Sequence, residues 1–161
     1  DFDLLTQRIE LRAHVGLLAH RTGLYSDLTV KENLKFWATI YGASDAEIDS
    51  AMEVFGLAGR LESVQVQNLS EGQRRRTSLA LLLIKRPSIW LLDEPYAGLD
   101  DNGRGLVNSC ISQAAEAGST VLIASHEISS IGSKRERTLQ VKGGRIVADS
   151  QDGNEGHHYD P

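Results

Sequence analysis

Ile89-Trp90-Leu91-Leu92-Asp93-Glu94-Pro95 is the stretch on which the architecture of this chain turns. Its apolar run is too short for a helix and suits a central parallel strand, buried on both faces. Two acids follow at once, so their carboxylates sit at the strand exit, where water is scarce. Further along, Thr120 to Ala124 reads as a second buried strand. Between the two, Leu106, Val107, Cys110, Ile111 and Ala114 mark an amphipathic helix that Gly118 ends. Strand, helix and strand in this order predict parallel pairing with a right-handed crossover, and functional loops at the C-terminal strand ends. The expectation is an α/β fold.

Upstream, Arg12 to Ala19 reads as another buried strand, followed by polar Arg21-Thr22-Gly23. Thr29-x-x-Glu32 and Ser44-x-x-Glu47 are capping boxes that open two helices, which Gly42 and Gly56 end. The first carries Val30, Leu34, Trp37 and Tyr41 at helical spacing, the second Ile48, Ala51, Met52 and Phe55. Ser70-x-x-Gln73 starts a third helix, with Leu79, Leu82 and Leu83 on its apolar side, which cannot pass Pro87. Its Arg74-Arg75-Arg76 run reads as a solvated face. Arg137 to Val141 and Arg145 to Ala148 flank Gly143-Gly144 as a hairpin. The segment from Ser150 to Pro161 is polar and reads as a mobile tail, His157-His158 included. The expected organisation is one domain over 1–149, with a helical lobe at about 27–86, and a flexible tail over 150–161.

The bulk numbers exclude several classes. With 161 residues, 40% of them hydrophobic, the chain has material for one real core. A net charge of -5 leaves no basic footprint for a nucleic-acid backbone, so no nucleic-acid partner is expected. The single cysteine, Cys110, reads as core packing in a reducing compartment. No apolar run is long enough to span a bilayer, so a membrane role is expected to come through a partner.

Three clusters carry chemistry. Asp93 can hold Mg²⁺ through its water shell, and the adjacent Glu94 can orient and deprotonate a water that attacks a γ-phosphate. His126 follows the next strand, so parallel pairing brings its imidazole to the same edge, where it can hydrogen-bond the γ-phosphate. Ser70-Glu71-Gly72-Gln73 places a hydroxyl, a residue without a side chain and backbone N–H groups at a helix start, the geometry of an anion site. A capping box without any ligand explains the same residues equally well.

Leu69-Ser70-Glu71-Gly72-Gln73 resembles the signature motif of ATP-binding cassette (ABC) proteins, usually Leu-Ser-Gly-Gly-Gln. Leu91-Leu92-Asp93-Glu94-Pro95 is similar to their Walker B segment, Ala97-Gly98-Leu99-Asp100 to their D-loop, and Ser125-His126 to their switch histidine. These motifs stand in the family's order and at its usual spacing, and the likeness runs from about Asp3 to Ala148. Within the family, Leu18-Ala19-His20, Leu28-Thr29-Val30-x-Glu32-Asn33-Leu34-x-Phe36-Trp37, Gln73-Arg74-Arg75 and Trp90 look most like the ATPase subunit of heme exporters in cytochrome c maturation. Drug and polysaccharide exporters share several of these features.

The resemblance implies a P-loop NTPase-like ABC ATPase domain that uses ATP and Mg²⁺, docks on a membrane permease at the cytoplasmic face, and forms a head-to-tail dimer with a second ABC ATPase subunit. Ser70, Glu71, Gly72 and Gln73 would then serve the partner's ATP and Asp100 would communicate across the interface. Asp93, Glu94 and His126 would serve the subunit's own ATP. Two departures stand out. His20 occupies the place where the family commonly has a glutamine that touches Mg²⁺. No segment reads G-x-x-x-x-G-K-[S/T], and the echo from Gly98 to Gly105 has Arg for Lys, so the domain is expected to lack its first strands and phosphate loop through N-terminal truncation. The rival readings are a non-transport ABC protein, such as a translation factor or a chromosome-maintenance ATPase, and a non-catalytic dimerisation module.

Overall fold

The computed structural model describes residues 6–19, 23–126 and 137–150. They fall in two compact units, Asp1–Ile128 and Ser129–Pro161. In the first, the elements are α1 (Arg8–His14), β1 (Val15–Leu18), α2 (Val30–Tyr41), α3 (Asp45–Val54), α4 (Glu71–Lys85), β2 (Ile89–Asp93), α5 (Asp101–Glu116) and β3 (Thr120–Ala124). Short 3-10 turns at Gly59–Leu61 and Val66–Asn68 link α3 to α4. The second unit contains the antiparallel hairpin β4 (Leu139–Lys142) and β5 (Arg145–Asp149), turning at Gly143-Gly144 as its sequence predicts.

The helices begin where their caps are written. Thr29 Oγ1 accepts from the Glu32 amide at 3.2 Å while Glu32 Oε2 takes the Thr29 amide at 2.8 Å. Glu47 Oε2 takes the Ser44 amide at 2.8 Å, and Gln73 Oε1 takes that of Ser70 at 2.9 Å. Each bond satisfies a donor that the first helical turn leaves open. Gly42 ends α2 in the left-handed region at φ 72°.

Strands β1, β2 and β3 form a parallel sheet in that order, with Gly16, Trp90 and Val121 in one row and Leu17, Leu91 and Leu122 in the next. Side chains alternate between faces, so successive rows look opposite ways. Gly16, Leu18, Trp90 and Leu92 are buried. This is the face that α4 covers: a Cβ on Gly16 would stand 2.5 Å from Pro87 Cγ and 2.7 Å from Leu82 Cδ2. The other face carries the exposed leucine row, with Leu17 63% and Leu122 53% accessible. The expectation of strands buried on both sides is corrected here. Ile89 to Leu92 alternates between half-buried and buried, and β3 is half-buried to exposed throughout, because among the described residues no element covers its second face.

The strand expected over Arg12 to Ala19 is also shorter. Its first residues are the last turn of α1, and β1 begins at Val15. Lys85 Nζ fixes the junction by donating to the carbonyls of Arg12 at 2.9 Å and Val15 at 2.6 Å. Burial pulls the Lys85 pKa below its ordinary value. Cys110 is buried on α5, and its thiol pKa is pushed up to about 11 by that burial, as befits a packing residue. Of the tail expected over 150–161, the stretch 151–161 lies outside the described residues, as does His20.

Candidate functional site

The site grows from the register of β2 and β3. Asp93 pairs with Ala124, and the ladder continues one step further, with the Glu94 amide donating to the Ala124 carbonyl at 2.8 Å. Glu94 then turns sharply at φ 46°, a left-handed conformation that costs a side-chain-bearing residue about 1–2 kcal/mol. Strain of this kind persists where the surroundings hold it. Three contacts hold it here. Ser125 Oγ donates to Glu94 Oε2 at 3.0 Å, and the His126 amide donates to Oε1 at 2.8 Å. His126 Nδ1 lies 2.9 Å from the same Oε1. The His126 contact, with smaller help from Ser125, draws the Glu94 pKa below the usual carboxylate range.

The sequence expectation that parallel pairing joins Glu94 and His126 at one edge therefore holds in distance. With Nδ1 donating to the carboxylate, a neutral imidazole carries its acceptor lone pair on Nε2. The side chains differ in access, His126 being 78% exposed and Glu94 32%. A charged or polar group arriving from solvent meets the imidazole before the carboxylate.

From Glu94 the chain runs through buried Pro95 and Tyr96 to Asp100. Tyr96 is anchored by its hydroxyl, 2.7 Å from Asn108 Oδ1. Asp100 caps α5, its Oδ1 accepting from the Gly103 amide at 2.8 Å. The loop between them touches the tip of α4. A Cβ on Gly72 would stand 2.4 Å from the Gly98 carbonyl oxygen, so Gly72 lacks a side chain because its own chain fills that space. Glu71 lies along Gly98, its Cγ within 3.3 Å of where a Cβ there would be. Ser70 and Glu71 are exposed, Gly72 and Gln73 half-buried.

The reading of Arg74 to Arg76 as a solvated face is corrected: only Arg74 is exposed. Arg76 Nη1 donates to the Phe55 carbonyl at 3.0 Å, and Arg75 is buried at 3% accessibility. The signal was present, since Arg75, Leu79 and Leu82 follow the i, i+4, i+7 spacing of a single helical stripe. Sequence reasoning also passed over Ser125 and Asn33 as site-building residues. Buried Asn33 accepts from the Tyr25 amide at 2.8 Å and donates Nδ2 to the carbonyls of Tyr25 and Thr29, each at 3.0 Å. It thereby organises the loop that enters α2.

A model of the family described as ABC transporter matches residues 2–97. The chain belongs to the ABC transporter family. It is similar to a cytochrome c biogenesis ATP-binding export protein CcmA of Vibrio parahaemolyticus, at 40% identity over 112 residues, 68% of this chain and 54% of that one. A protein of the same description from Xanthomonas oryzae pv. oryzae is 40% identical over 129 residues, 80% of this chain and 60% of its own. The chain thus spans little more than half the length of these curated relatives. A solved ATP binding subunit of an ABC transporter shares the fold at TM-score 0.79 and 22% identity, covering 92% of this chain and 63% of that one. A dimeric bacterial ABC transporter cassette does so at TM-score 0.75 and 23% identity, covering 87% and 64%. The fold is accordingly the α/β ABC ATPase type with a helical subdomain.

In this ABC domain the donor set sets limits on a metal. Among the described residues no cluster of acids and imidazoles could cage an ion, and no hydrogen bond or ion pair engages the exposed Asp93 carboxylate. A single open carboxylate fits Mg²⁺, which keeps several waters and leans on one or two carboxylates plus substrate phosphates. No described helix is long and apolar enough to cross a membrane.

Proposed function

We propose that this chain is part of the ATP-hydrolysing subunit of an ABC transporter that energises a separate permease at the cytoplasmic face of a membrane. The observation that carries the reading is the 2.9 Å contact between Glu94 and His126, on neighbouring strand ends beside the open Asp93 carboxylate. In this reading Glu94 takes the proton of the water that attacks the γ-phosphate in line. His126 hydrogen-bonds the γ-phosphate, and Asp93 holds the water shell of the metal. Mg²⁺, when bound, neutralises charge on the phosphate oxygens. A γ-phosphate that competes for the exposed imidazole would release Glu94 Oε1 to accept the proton. His20 stands where the family commonly has a glutamine that touches Mg²⁺ and signals to the permease.

Ser70, Glu71, Gly72 and Gln73 serve the ATP of a second subunit in a head-to-tail dimer, with Asp100 relaying across the interface. Permease docking falls to a groove of about 440 Å³ beside the aromatic ladder, lined by Leu17, Trp37, Tyr41, Leu81 and Lys85 among others. There Trp37 stacks on Tyr41 at 5.7 Å, and Phe36 meets Tyr25 edge-on at 5.0 Å. Export in cytochrome c biogenesis is the role that the two CcmA relatives favour, since both are described as cytochrome c biogenesis ATP-binding export proteins, and heme is the cargo that the motif resemblance implies. This 161-residue chain by itself is expected to hydrolyse ATP negligibly, because no phosphate loop stands in its sequence. The test is Glu94→Gln in the full-length protein, where turnover should vanish while nucleotide-bound dimers persist. Near-normal turnover would remove Glu94 from the role of base.

A further inference from the structure

The buried cation of α4 has no part in the reading above, and its contacts are specific. Arg75 Nη1 lies 3.2 Å from the Ala19 carbonyl and 3.5 Å from that of Asp93, the second at the outer edge of hydrogen-bond reach. One amino group with two protons thus spans two carbonyls. Ala19 follows β1 and Asp93 ends β2, so the guanidinium bridges these strands just past their last paired residues, Leu18 and Leu92. Among the described residues no carboxylate pairs with Arg75, so backbone dipoles alone compensate a charge at 3% accessibility. Burial on those terms is costly, and a structural methionine or leucine would fill the stripe more cheaply.

The gripped carbonyl belongs to the peptide bond that joins the two acids. The N–H of that same peptide is held from the other side, by the Ala124 carbonyl at 2.8 Å. A planar trans peptide held at both its oxygen and its hydrogen resists rotation. Its plane sets the φ of Glu94, the strained residue at 46°. We infer that Arg75 is a positioning residue for hydrolysis: it locks the Asp93–Glu94 peptide plane, so that α4, which carries the signature segment at its tip, directly aims both acids. This rests on the hydrolytic reading above for its consequence, though not for its geometry.

The experiment uses full-length protein with Arg75→Met, which keeps side-chain length and removes the donors. The kcat for ATP should fall about tenfold or more while KM stays within about threefold, the split expected when an aimed group is lost and binding is not. By hydrogen exchange the Glu94 amide should lose protection about tenfold or more, with α2 and α3 amides unchanged. A folded Arg75→Met protein with wild-type kcat and wild-type exchange at Glu94 would overturn the inference. Where Arg75→Met does not fold, Arg75→Gln, polar but too short to reach both carbonyls, is read by the same two measurements with the same outcomes expected. Wild-type protein that hydrolyses no ATP would sink the hydrolytic reading, and exchange at Glu94 would still decide whether Arg75 clamps the peptide.

Discussion

Replacing Gly72 by alanine is the sharpest probe of the contact between the α4 tip and the loop at Gly98. The added Cβ would stand 2.4 Å from the Gly98 carbonyl oxygen, with the Gly98 carbon at 3.4 Å and Leu99 Cδ2 at 3.5 Å. A relaxed carbon–oxygen contact needs about 3.3 Å, so helix tip and loop must part by about 0.9 Å. The obstacle is backbone, with no flexible side-chain end to swing aside. Overpacking of this kind costs about 1–3 kcal/mol, against a gain of up to about 1 kcal/mol for alanine over glycine in a helix. A net loss of about 1–2 kcal/mol lowers the melting temperature by roughly 2–8 °C in a protein of this size. Gly105→Ala is the internal control. It sits in α5 with nothing within 4 Å of its would-be Cβ, so only the backbone term acts and the melting temperature should rise. Thermal unfolding followed by circular dichroism compares the two variants directly. If both raise the melting temperature, Gly72 is not wedged against its own loop, and its small size answers to something outside the chain.

Other expectations rest on separate contacts. Asn33→Ala should destabilise the protein by about 3 kcal/mol in urea titrations, because it strands the Tyr25 amide and several carbonyls that Asn33 now satisfies, and it should speed proteolysis of the loop between Tyr25 and Thr29. An unchanged urea midpoint would count against the role given to Asn33. The Glu94 pKa lies below its unfolded value, so its contribution to stability is full above the ordinary carboxylate pKa and fades as pH falls through the lowered one. His126→Ala removes the largest cause of that shift. The titration midpoint of the Glu94 carboxyl carbon by NMR should therefore move upward in the variant, and an unmoved midpoint would dissolve the pair.

Much of the molecule was legible in residues that lie within a few positions of one another. The capping boxes at Thr29, Ser44 and Ser70 formed as written, because a cap closes over three residues and needs no distant partner. The short apolar run into Asp93-Glu94 made β2, and its length ruled out a helix. The motifs themselves, read in order, led to the family that the comparisons bear out. The approach of Glu94 to His126 followed from strand order alone, since parallel neighbours bring their C-terminal ends to one edge.

What only the tertiary structure decided is which surfaces meet. An exposed Leu17 and a buried Leu18 look alike in a sequence, because burial depends on whether an element packs overhead. Arg75 and Arg74 are neighbours of the same kind, yet rotation by one helical residue sends the first under the sheet edge and the second to solvent. Gly72 reads as room for a ligand, and only the fold shows that Gly98, brought to it by the path of the chain between β2 and α5, already stands where a Cβ would be. Local chemistry thus wrote the elements and their ends, while long-range packing assigned each polar side chain its partner.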